Sequence, residues 1–133
     1  MQLEIIVQTR KMRNFKVEKL SKGEYLISRE PGNSMTPILK SREPVILEPS
    51  TDWNIFKEGD IAYVKIHGNY YTHLVHGVSQ DKGLLIGNNH GHVQGWTKKV
   101  FAKAHLIPSE WKTKAEEYLE HWKKENKIET TEN

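Results

Sequence analysis

Between Tyr25 and Ala104 the chain is a succession of short apolar runs, each closed by a turn signal built on Gly, Asn or Pro. That punctuation favours small strands joined by tight turns over long helices. Residues 23–28, 43–49, 61–66, 70–78, 84–86 and 100–104 read as strands, and residues 3–7 and 16–20 as two further β-like pieces. Pro44 and Pro49 bracket one run and suit an edge position, because proline donates nothing to a ladder. His67-Gly68-Asn69 signals a hairpin, since Gly and Asn tolerate positive φ. Residues 91–97 read as a long loop.

After Pro108 the apolar period changes. Ser109 can cap a helix with Glu110 in its first turn, and Trp111, Ala115, Tyr118, Leu119 and Trp122 then recur on one face. The chain therefore divides into a mainly β domain over residues 1–108, an amphipathic helix over 109–126 and a polar tail over 127–133.

Composition narrows the function classes. The 133 residues are 36% hydrophobic and 28% charged, enough for one buried core. With no cysteine, a disulfide scaffold, a thiolate zinc site and a thiol nucleophile are excluded, and a cytoplasmic location is expected. No apolar run approaches the roughly 18 residues of a membrane span, so a soluble chain without an anchor is expected. Net charge is +3, with five Lys against seven Glu from Ser109 onward. The excess thus falls earlier, on Arg10, Lys11, Arg13, Lys16, Lys19 and Lys22, a segment that could touch phosphates or stand as a solvated edge.

The chemistry centres on Gly32-Asn33-Ser34-Met35-Thr36-Pro37, where a small hydroxyl residue stands between a glycine turn and a Met-x-Pro. Downstream come Glu58-Gly59-Asp60-Ile61, then Thr72-His73-Leu74-Val75 within a strand, then Gly87-Asn88-Asn89. In this order and spacing, over about residues 25–104, the chain resembles the superfamily of serine peptidases that includes signal peptidases and LexA-type repressors. The resemblance implies a mainly β fold, a coiled β-ribbon sheet of the signal-peptidase/LexA-like kind with a C-terminal α-helix, and a nucleophile at Ser34.

A serine hydroxyl needs a base within hydrogen-bond reach. The family uses either lysine or histidine. Here no lysine occupies the middle of residues 70–78, so the chain looks like the histidine branch, a side chain whose ordinary pKa of about 6.5 suits the task. His73 is the favoured base and His76 the alternative; three apart on a regular strand, they point to opposite faces. By resemblance the oxyanion hole uses the amide of Ser34 and a donor near Gly32 and Asn33. The histidine branch carries Gly-Asp-Asn where this chain has Gly87-Asn88-Asn89, so Asn88 holds the orienting place without a charge. A Ser/His dyad follows, or the recruitment of Asp60 or Asp81.

No cofactor or metal is expected: His73, His76, His90 and His92 have no carboxylate among them, and Gly91 argues for a turn. The expected function is that of a soluble serine endopeptidase acting on a protein or peptide, such as a phage or host factor. Self-cleavage of the repressor kind is disfavoured, because the chain has no Ala-Gly bond. Two other readings stay open: a catalytically inactive peptide- or protein-binding module of the same fold, and a nucleic-acid-associated protein using the basic segment. The aromatic face of the last helix could serve as a homo-oligomer contact.

Overall fold

Asn14 opens the first helix of the computed structural model, which describes residues 14–128. Its side-chain oxygen accepts from the amide of Val17 at 3.0 Å and so satisfies one of the free donors at the start of α1, Phe15–Ser21. This corrects the β-like reading of residues 16–20. Val17 and Leu20, three apart, meet the core from one helical face, and a capped turn wins over the weak alternation. The expected strand at residues 3–7, and Arg10, Lys11 and Arg13 of the basic segment, lie outside the described residues.

Seven strands follow: β1 Leu26–Arg29, β2 Pro44–Pro49, β3 Ile61–Ile66, β4 Asn69–Ser79, β5 Gly83–Gly87, β6 Val93–Thr97 and β7 Val100–Leu106. They form one antiparallel sheet in the order β1-β2-β7-β3-β4-β5-β6. The fold is therefore mainly β, as the punctuation predicts. β2 is not an edge strand, however, because β1 and β7 flank it. Its prolines stand at its two ends, where a missing N–H removes little from the ladder.

β6 corrects the loop expected over residues 91–97. Gly95, at φ +143, hides the strand from a propensity reading. The register shifts between the pairs Ile86↔Gly95 and Gly87↔Val93, which leaves Gln94 as an extra, unpaired residue. A second shift separates Val75↔Ile86 from Gly77↔Leu85 and leaves His76 extra on β4. Each is a β-bulge, a device that re-aims a side chain out of the regular alternation.

Three apolar clusters hold the sheet. Leu20, Met35, Val45, Leu47 and Tyr63 gather on one side, while Val64, Val75, Leu84 and Ile86 form a second core further along. Ile46 and Ile107 face the C-terminal segment. That segment is not one helix over 109–126. Ser109–Lys114 is a 3-10 helix preceded by Pro108, without a side-chain cap, and the α-helix α2 spans Ala115–Glu125. Ala115 and Leu119 are buried against Ile46, and Trp111, Tyr118 and Trp122, the aromatic face, are half-buried there. Lys112 pairs with Glu43, tying this segment to the start of β2.

Candidate active site

The 14 residues between β1 and β2 carry the motif around Ser34. Met35, 5% exposed, anchors this loop in the first apolar cluster, so its neighbour Ser34 is held at the surface of the core and outside any ladder. Thr36 N donates to Asn33 O at 3.2 Å and Leu39 N to Met35 O at 3.0 Å, which curls the loop just after the serine.

His73 reaches the loop from the middle of β4. Ser34 Oγ lies 3.0 Å from His73 Nε2. The other ring nitrogen, Nδ1, lies 2.9 Å from Gln94 Oε1. An amide oxygen only accepts, so Nδ1 carries the proton and donates to Gln94, leaving the lone pair of Nε2 to accept from the serine hydroxyl. The tautomer is thus the one a general base requires. His73 is 8% exposed and its ring lies beside Tyr71, with centroids 5.1 Å apart. Burial holds its pKa below the ordinary histidine value, and the neighbouring His92 and His76 act the same way; the Gln94 hydrogen bond and the charge of Glu30 oppose them.

His76 does something else. Its Nε2–H donates to the carbonyl of Asn88 at 2.9 Å, and its ring packs where a Cβ on Gly87 would stand, 2.8 Å away. It buttresses the turn after β5 and makes no hydrogen bond to Ser34. Opposite faces for His73 and His76 require regular alternation, and the bulge leaves His76 outside it.

Asn88 is placed differently from its expected orienting role. Its side-chain oxygen accepts from the amides of His90 and His92, at 2.8 and 3.0 Å, and shapes the turn. It is Gln94 that meets His73 Nδ1. Neither alternative carboxylate is there: Asp60 accepts from Lys57 N at 2.9 Å and pairs with Lys103, and Asp81 sits in the β4–β5 turn. The same turn grips the serine loop. Asn89 N donates to Ser34 O and Asn89 Nδ2 to Thr36 O, both at 2.9 Å, and His90 Nε2–H donates to Asn33 O at 3.0 Å.

For an oxyanion, Gly32 is spent, because its amide donates to Ser41 Oγ at 3.0 Å. Among the described residues, the amides of Asn33 and Ser34 have no acceptor. No family model matches the chain, and no curated protein or solved structure matches it either. The site is therefore argued from its own geometry. The sequence gives Gln94 no role, and it gives none at the serine loop to Asn89, which stands in the Gly87-Asn88-Asn89 motif, or to His90. Gln94 lay in a stretch read as loop, and the only available signal was the alternation of Val93, Gly95 and Thr97 on either side of it. Among the described residues, no helix is long and apolar enough to cross a membrane.

Proposed function

We propose that the protein is a serine endopeptidase in which Ser34 is the nucleophile, His73 the general base and Gln94 its orienting partner, on a signal-peptidase/LexA-like sheet. The observation that carries this reading is the 3.0 Å contact between Ser34 Oγ and an imidazole nitrogen whose proton is held on the opposite side of the ring. Ser34 Oγ attacks the peptide carbonyl carbon while its proton passes to His73 Nε2. The oxygen of the carbonyl, now negative, takes hydrogen bonds from the amides of Ser34 and Asn33. Collapse breaks the C–N bond, and Nε2 returns its proton to the departing amine. Water, deprotonated by the same nitrogen, then releases the acyl group. The substrate in this reading is a soluble protein met in the cytoplasm.

The neutral Gln94 favours one competing reading, an inactive peptide-binding module of the same fold. An amide positions the imidazole but adds no charge to stabilise the imidazolium that forms during attack. A fluorophosphonate probe separates the two. Catalytic competence gives labelling of the native chain that is lost in Ser34→Ala; a folded chain that resists the probe at every pH is the binding module.

A further inference from the structure

Beside Ser34 lies a small depression that opens to solvent. Pro31, Met35, Leu39 and Val45 give it apolar walls. Ser28, Glu30 and Thr72 add polar groups. The Glu30 carboxylate is already engaged, since Thr72 Oγ–H donates to it at 2.6 Å and Lys16 Nζ lies 3.3 Å from the same oxygen. Ser28 differs. It stands on β1 opposite Val45, is 2% exposed, and its hydroxyl is the one buried side-chain polar atom among the described residues without a hydrogen-bond partner. Such a group is a standing cost, which an occupant able to donate or accept there removes.

The lining also gives the depression a side. Ser34 borders it and His73 does not. In the proposed reaction the leaving amine must lie against His73 Nε2 to receive its proton, so a recess that touches Ser34 away from the imidazole faces the acyl half of the substrate. Glu30, Glu43 and Lys40 also line it, so an acidic side chain there would meet two carboxylates for one ammonium. A purely apolar one would fill the walls and leave Ser28 unpaired.

We infer that this depression receives the side chain of the residue on the acyl side of the cleaved bond, and that through Ser28 it selects a short side chain bearing a hydroxyl, serine or threonine. The inference rests on the peptidase reading. Discrimination of this kind comes from a buried polar group that a wrong side chain leaves unsatisfied, and one neutral hydrogen bond supplies about tenfold.

The test uses two alanine-rich peptide coumarin amides that differ at one residue, serine or 2-aminobutyrate, before the cleaved amide; the second has a methyl in place of the hydroxyl. Native protein should hydrolyse the serine amide about tenfold faster in kcat/KM. Ser28→Ala should erase that preference, the two amides then being cleaved at equal kcat/KM, with a melting temperature no lower than that of the native chain, because it deletes an unpartnered hydroxyl. Equal rates, a reversed order, or hydrolysis of neither amide by protein that the fluorophosphonate labels at Ser34 would overturn the selection while sparing the peptidase reading. Folded protein that is not labelled at all sinks that reading and this inference together.

Discussion

Gln94 Oε1 lies 2.9 Å from His73 Nδ1, on the ring edge opposite the one that meets Ser34. Gln94→Leu removes the acceptor and frees the ring to turn and to change tautomer. The rate of fluorophosphonate labelling should fall about ten- to a hundredfold, toward the lower end of what a positioned base contributes. Gln94→Glu should do the opposite to the charge balance and raise the His73 pKa, moving the acid limb of the labelling profile to higher pH. A profile unmoved by either change would remove Gln94 from the site.

The acid limb of the native protein follows from the direction of the His73 shift. Burial is the largest cause and lowers the pKa, so Nε2 stays free to accept at pH values below the ordinary histidine range. The midpoint of the acid limb should therefore lie below the ordinary histidine value of about 6.5. Glu30→Gln removes a charge that favours the protonated ring, and the limb should move further down. Proton-titrated NMR of the His73 ring checks both.

The same shift couples stability to pH. The folded pKa lies below the unfolded one, so below about pH 6.5 the unfolded chain binds the proton more readily than the folded chain does. The contribution of His73 is complete above that pH and is lost as pH falls through the folded value. Urea unfolding midpoints should decline over that window in the native protein, and less so in His73→Phe.

How much of this was legible beforehand depended on whether the backbone kept its period. β3 runs over the predicted residues 61–66, because Ile61, Tyr63 and Ala62, Val64 alternate between two buried clusters, and its pairing with β4 is unbroken. The Gly32-to-Pro37 segment was legible as a loop outside the sheet, because a glycine turn and a Met-x-Pro suit no regular strand. Residues 16–20 misled, since a cap at Asn14 and contacts with the core outweigh local β propensity. Sequence position points to Asn88 and passes over Gln94, because a bulge on β6 re-aims a side chain that no linear spacing registers.

His76→Ala should separate scaffold from chemistry. It loses the hydrogen bond to Asn88 O and the packing on Gly87, at a cost of about 1 kcal/mol, and should retain most labelling. His73→Ala should lower labelling by about two to four orders of magnitude with little change in fold. The reverse pattern would exchange their roles.

Gly87→Ala is the sharper structural test. A Cβ there would meet His92 O at 2.7 Å and His76 Cδ2 at 2.8 Å, and a backbone oxygen cannot swing aside. A loss of roughly 1–3 kcal/mol is expected from thermal melts. Labelling should fall in the surviving folded fraction, because the displaced turn carries Asn89 and His90, which hold the serine loop.

β5 lies between two bulged neighbours, and the two surplus residues are His76 and Gln94. Both are spent on the site, one propping its turn and one aiming its imidazole. Deleting Gln94 would restore an uninterrupted pairing and give the sheet a tidier edge, with an imidazole that no longer knows which way to face. Beside β5 the ladder gives up two steps, and the residues so released are the one that meets the His73 imidazole and the one that braces the turn gripping the Ser34 loop.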